Sequence, residues 1–300
     1  MKFDFIGRKK IWFTISGIVV AVGLLALLIR GLNFGIEFKG GTAFDLRLKE
    51  SAQTSEIREE LSPLGLGKSV IQPVGRPENN EMLIRTRALS GQEQERVVET
   101  LDEKWGVDRS ALDVQTVGPG WGANVTRAAL VALGLSFTAL LIYISWRFEF
   151  KMAVAALAAL FHDLLITVGI YALVGREVTP NTVAALLSIL GYSLYDTIVV
   201  FHRVLENSPR IGRRTYSAMV NDSINEVLVR SINTSLTTLL PVTALLFLGG
   251  EVLRDFAFAL FVGITSGAYS SIFTASPILS VWKESEPRYR ALRARAEKRR

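Results

Sequence analysis

The chain has 300 residues, 49% apolar and 21% charged, with a formal net charge of +6, no cysteine and two histidines. The absence of cysteine excludes disulfides and thiolate metal sites, and two histidines are too few for a histidine-built metal centre. A mean hydropathy of +0.31 beside that much charge means that the charges are segregated from long apolar runs. The basic excess flanks those runs, which points to topology and anionic lipid and away from nucleic acid.

A helix crossing a hydrocarbon core of roughly 30 Å needs about 20 apolar residues. The first such run, 11–29, follows Lys2, Arg8, Lys9 and Lys10 and has no small-residue cleavage site before Arg30. It reads as an uncleaved anchor. Five further runs follow at 128–146, 152–174, 181–201, 231–248 and 256–282, the last interrupted by Pro277, where the helix is expected to bend or leave the membrane. The expected organisation is a cytoplasmic N-terminus with the first span (1–29), an extracytoplasmic domain (30–127), five more spans (128–282) and a basic cytoplasmic tail (283–300). Orientation follows from Lys and Arg beside the spans. Arg147 and Lys151 fill one link; Arg203, Arg210, Arg213, Arg214 and Arg230 mark another; the tail runs from Lys283 to Arg300. The opposite links carry only Arg176 and Arg254, so both termini are expected to be cytoplasmic.

The inserted domain reads as α/β. Phe44, Leu46 and Leu48 alternate as a strand, and Ile57, Leu61 and Leu64 fall at helical spacing. Residues 70–74 and 82–86 flank a turn-rich stretch, 75–80, and predict a hairpin. Ser90 and Glu93 form a capping box ahead of Val97, Val98 and Leu101, and Leu112, Val114 and Thr116 give a last strand. The order β-α-β-β-α-β is that of a ferredoxin-like unit. The fold class is thus a polytopic α-helical membrane protein with six transmembrane helices and one extracytoplasmic ferredoxin-like α/β domain.

Catalytic motifs are not met. Gly65, Gly67, Lys68 and Ser69 resemble the end of a phosphate-binding loop, but Ser62 occupies the position of its first glycine. Gly118, Gly120 and Gly122 lack dinucleotide-binding spacing. An enzyme, a cofactor and a metal are not expected. The informative residues are ionisable groups inside the spans, where charge costs several kcal/mol and usually serves a purpose. Ala184, Ser188, Tyr192 and Asp196 recur every four residues along one helix face, with Asp196 about 10 Å inside the cytoplasmic end. A carboxylate buried neutral for packing is the bland alternative, and burial cost favours function. Arg230 opens the fifth span with Thr234, Thr238 and Pro241 along its face; a topogenic arginine reaching the interface is an equal alternative. His162 and Asp163 sit at mid-depth in the third span, pointing about 100° apart, so that Asp163 is placed to approach Asp196 while His162 faces elsewhere. His202 reads as a solvated helix end. Gly263 and Gly267, continuing to Ser271, form a small-residue face for close helix packing within this chain or against a partner.

Five blocks stand out together: the run Gly35-Ile36-Glu37-Phe38-Lys39-Gly40-Gly41-Thr42, then Val117-Gly118-Pro119, then Gly191 to Phe201 with Arg203, Glu206 and Asn207, then Asn221 to Asn225 leading to Arg230 through Thr238, and last Tyr269 to Phe273. The blocks cover nearly the whole chain in order. Together they resemble the SecF family of bacterial inner-membrane protein-export subunits, within the resistance-nodulation-division superfamily. Glu37 stands where the family's Gly-x-Asp-Phe-x-Gly-Gly motif has Asp, Tyr195 where many members have Asn, and His202 where Asp is usual beside the arginine.

The resemblance implies a subunit that works with SecD and the SecYEG channel, using the proton-motive force to promote late steps of export of a translocating polypeptide. It also implies that Asp196 and Arg230 take part in proton passage; Asp163 and His162 are further candidates on the cost of their burial alone. Protonating Asp196 is then expected to remove its attraction to Arg230. A homodimeric lipid or drug exporter of the same superfamily is one alternative, although about a hundred outer residues are few for a substrate tunnel. A non-coupled scaffold of the export channel is the other. The basic tail either contacts anionic membrane lipid or merely fixes topology, and the positive-inside rule favours the second.

Overall fold

A computed structural model describes residues 3–74, 79–212 and 214–297. Lys2, turn residues 75–78, Arg213, Lys298, Arg299 and Arg300 lie outside the described residues. In chain order the elements are α1 (Lys9–Arg30), a single helical turn (Ile36–Lys39), β1 (Gly41–Arg47), α2 (Thr54–Leu61), β2 (Val70–Val74), β3 (Glu81–Thr86) and α3 (Gly91–Trp105). Then follow β4 (Asp113–Val117), α4 (Pro119–Arg147), α5 (Phe150–Val174), α6 (Pro180–Asn207), α7 (Tyr216–Leu248) and α8 (Glu251–Ser270). A π-helical turn (Ser271–Ala275) leads into α9 (Ser276–Glu284), and α10 (Pro287–Glu297) closes the chain. Two compact units result, one from 1–33 with 132–300 and one from 34–131.

In the membrane unit, six helices are long and apolar enough to cross a bilayer among the described residues, with α8, the π turn and α9 acting as one span. Half of the apolar window is buried in α5, α6 and α8–α9, against 6% in α4, so the first three form the inner triad and α4 lies outermost. Close approach rests on small residues. A Cβ on Gly169 of α5 would stand 2.6 Å from the Cα of Gly23 in α1, and one on Gly267 would stand 2.8 Å from the Ser193 Cβ. Gly263 likewise meets Ile189, so the small-residue face of α8 is occupied by α6 of this chain.

Two helices run further than their apolar segments. Thr179 caps α6 with Pro180 in the first turn, and the helix continues past Phe201 to Asn207. Thr215 accepts from the Ala218 N–H and starts α7 well before Arg230. At about 1.5 Å per residue α7 is roughly 50 Å long, exceeding the hydrocarbon core by several turns. Near Pro277 the chain does not simply bend. The proline lacks an N–H and crowds the carbonyl four residues back, and the π turn over Ser271–Ala275 absorbs that by widening the helix ahead of it.

In the other unit β1 lies between β3 and β4, with β2 outside β3, and every neighbouring pair is antiparallel. Phe44 sits opposite Ile84 on one side and Val114 on the other. Phe44, Leu46 and Leu48 pack on Ile57 and Leu61 of α2 and on Val97, Val98, Leu101 and Trp105 of α3. Both helices begin with reciprocal capping boxes, Gln53 with Glu56 and Ser90 with Glu93. Gly35 precedes the turn that holds Glu37 and Phe38, and Gly40 closes it with φ near 74°. Gly41 has φ 139°, and a side chain there would strike the Thr86 carbonyl, which explains the paired glycines ahead of β1.

Candidate functional site

Asp196 sits on the inner side of α6, 3% exposed, and accepts a hydrogen bond from Ser235 Oγ of α7 at 3.3 Å. One turn away, Tyr192 reaches α7 as well, donating to the Thr234 carbonyl at 3.0 Å and sharing a hydrogen bond with Thr238 Oγ1. The stripe expected on α6 thus passes from exposed Ala184 and Ser188, through half-buried Tyr192, to buried Asp196. By helix rise, Asp196 lies roughly 24 Å from the start of α6 and Arg230 roughly 27 Å from the end of α7, so the two stand at similar depth.

Arg230 does not pair with Asp196. Its Nη2 donates to Tyr195 Oη at 3.0 Å, and the two charged side chains form no ion pair among the described residues. The reason is rotational. Tyr195 precedes Asp196 by one residue and so points about 100° away, out to the exposed side where the long arginine side chain also extends.

Asp163 on α5 is fully buried, and its carboxylate ties three helices together. Oδ2 accepts from Ser193 Oγ of α6 at 2.6 Å and from Ser270 Oγ of α8 at 2.7 Å, while Oδ1 accepts from Ser266 Oγ at 2.6 Å. His162 Nδ1 lies 3.2 Å from Oδ1, so the neighbouring side chains meet despite their different directions along the helix. The imidazole stacks on the Tyr269 ring, with 6.2 Å between centroids. The carboxylates of Asp163 and Asp196 are held by different partners, Asp163 by the serines of α6 and α8 and Asp196 by α7. A polar seam continues along α6 and α8 through Thr197 and Ser271, whose hydroxyls are 2.8 Å apart.

These serines were not singled out from the sequence. Ser266 and Ser270 are spaced i, i+4 beside Gly263 and Gly267, and small residues in that pattern read only as packing. His202 lies within α6, exposed, with Nδ1 3.5 Å from Glu206 Oε1. Arg203 pairs with Glu206 at 2.8 Å and with Glu226, linking α6 to α7. Asn221 Oδ1 accepts the Phe5 and Ile6 N–H groups, and Asn225 Oδ1 accepts the Phe3 N–H, so the polar start of α7 holds the N-terminal segment.

Comparison with known proteins places these features in a family. Residues 97–285 match the family model of the protein export membrane protein SecD/SecF C-terminal region, and residues 25–52 match the SecD/SecF GG motif. The chain is 41% identical to the protein translocase subunit SecF of Streptomyces coelicolor, over 98% of this chain and 80% of that one. It is 42% identical to the SecF subunit of Desulfurispirillum indicum, over 92% and 89%. The crystal structure of SecDF, a translocon-associated membrane protein from Thermus thermophilus, superposes with a TM-score of 0.86 at 38% identity, covering 95% of this chain. This chain spans 39% of that longer one.

Proposed function

The chain belongs to the SecD/SecF protein-export family, and from that premise we propose that it is the SecF-type accessory subunit of a bacterial Sec translocase, coupling proton entry to late steps of polypeptide export. It acts with SecD beside the SecYEG channel, in the inner membrane with both termini cytoplasmic. The observation that carries the coupling is Asp196, a carboxylate buried at membrane depth with a hydroxyl from the next helix and an arginine at the same level.

In this reading Asp196 alternates between protonated and ionised forms. When it is protonated, Arg230 rests on Tyr195; when it ionises, Arg230 turns inward to the carboxylate and draws α7 against α6. A full charge crossing about 100 mV makes roughly 2.3 kcal/mol available, enough to bias two such arrangements. Asp163 and His162 serve the same device from the other side of α6. The serine cage fixes α6 against α5 and α8, so that the motion is confined to α7. The outer unit is the part that meets the emerging polypeptide, and the Arg203–Glu226 link carries movement of α7 to the inner ends of the helices.

The test is export in sealed inverted vesicles that also contain SecD, comparing wild type with Asp196→Asn under an imposed proton gradient. The expected variant assembles normally and loses the gradient-dependent part of export. A full gradient response in the variant would make Asp196 a packing group and refute the coupling.

A further inference from the structure

At one end of the membrane unit, the start of α1, the end of α9 and α10 border an open cavity of about 410 Å³. Lys9, Arg290 and Arg293 line it with Val281, Glu284 and Ser285. Its only acidic group is already engaged. Glu284 Oε1 accepts the Ser217 N–H at 3.0 Å, and Oε2 faces Arg293 Nη1 at 3.6 Å. Arg290 donates one N–H to the Ser285 carbonyl at 3.2 Å. Neither Lys9 nor Arg290 makes an ion pair among the described residues, so two positive charges converge on the cavity without an anion.

That convergence is held in place. Tyr289 is buried against Tyr216, with ring centroids 4.6 Å apart, and Leu292 packs on the same core. Arg290 and Arg293, three apart, share another side of α10, which that packing holds beside the cavity while their side chains stay exposed. Like charges repel, so cations brought to one hollow from opposite ends of the chain favour an anion between them. An anion of phosphate size resolves the arrangement, because guanidinium and ammonium donors both match phosphoryl oxygens. Val281, apolar and 46% exposed, borders the cavity and offers a contact for hydrocarbon.

We infer that this cavity is a binding site for a phosphate ester, with the headgroup of an anionic phospholipid as its source in the membrane. The site is separate from Asp196 and from proton coupling, so its failure and that of the export reading are read in different experiments.

Lipid retention on the full-length chain in detergent, followed by native mass spectrometry, tests it with phosphatidylglycerol against phosphatidylcholine. Wild type is expected to retain phosphatidylglycerol with roughly 30-fold preference, as two uncompensated cations near a headgroup would give. Lys9→Gln with Arg290→Gln removes that preference, and Arg290→Gln alone leaves an intermediate one. Arg288→Gln with Arg295→Gln removes the same charge outside the cavity and leaves the preference intact. Millimolar inorganic phosphate separates the sources: displacement of the lipid assigns a soluble phosphate ester, and no displacement assigns the headgroup. Equal retention of the two lipids by wild type, or equal loss in the control pair, overturns the site.

Discussion

Three serine hydroxyls and the His162 imidazole end on the Asp163 carboxylate, which is fully buried. Removing it strands buried donors, each costing about 1–3 kcal/mol when left without an acceptor. Asp163→Ala is therefore expected to lower unfolding stability by about 3 kcal/mol, and Asp163→Asn by less, because the amide oxygen still accepts. Thermal unfolding in detergent checks both, and an equal loss in the isosteric Asn variant would show that one remaining acceptor oxygen does not rescue the site and that the full carboxylate is needed. At Arg230 the discriminating change is Tyr195→Phe, which deletes the resting acceptor with little change of shape. Under the coupling proposal it shifts the pH midpoint of gradient-driven export while leaving assembly unchanged; an unmoved midpoint would remove Tyr195 from the cycle. A third residue lies in the α/β unit. The Arg87 guanidinium, donating to Glu93 at 2.6 Å, and then the Ser90 N–H and hydroxyl, hold the Glu93 carboxyl down from 4.5 to about 2. A depressed folded-state value means stability that is present above the unfolded value and lost as pH falls towards about 2. Glu93→Gln should flatten the acid limb of the outer unit's melting curve between about pH 4.5 and 2, and added salt should shrink the effect, since the pair is exposed. The Ser90–Glu93 cap was legible because its spacing is its mechanism, whereas the serines around Asp163 were not, because a membrane serine looks the same whether it packs or donates.

At the scale of elements, apolar run length located every span, since the hydrocarbon core dictates it. It could not show where helices continue into water. The polar start of α7, from Tyr216 to Arg230, has no apolar run, and its only advance mark is the cap residue Thr215. Nor could it show how Pro277 is accommodated, because the π turn ahead of it is a response of the backbone to packing. The α/β unit was more readable, since period-two and helical patterns alternate there with turn residues between them. Glycine spacing flagged the α8 face, but the tightest crossing joins Gly23 and Gly169, which no motif pairs in sequence. Gly169→Ala puts a methyl 2.6 Å from the Gly23 Cα, so α1 must shift away from α5. A loss of about 1–3 kcal/mol is expected from such overpacking, measured as a lowered melting temperature. Gly134→Ala on α4, where nothing lies near a new Cβ, serves as the neutral comparison.

At the scale of the whole molecule, three distant parts of the chain gather at one end of the membrane unit. The N-terminal segment is held by Asn221 and Asn225, the α6 end is linked to α7 through Arg203 and Glu226, and α10 packs through Tyr289 on Tyr216. Groups so connected must share one side of a bilayer, and the proposed orientation puts that side, with its Lys and Arg excess, in the cytoplasm. The chain contains no cysteine, so a single introduced thiol reports its own compartment without background. Arg210→Cys and Arg295→Cys place thiols at the gathered end, and Arg96→Cys places one on α3 of the outer unit. All three positions are exposed. In sealed right-side-out vesicles, a membrane-impermeant maleimide should modify Arg96→Cys alone; after permeabilisation it should modify all three. Labelling of Arg210→Cys or Arg295→Cys in intact vesicles would invert the topology. Asp196 would then lie towards the outer face, where the proton gradient no longer drives charge inward through the route proposed, and the coupling scheme would fall with the orientation.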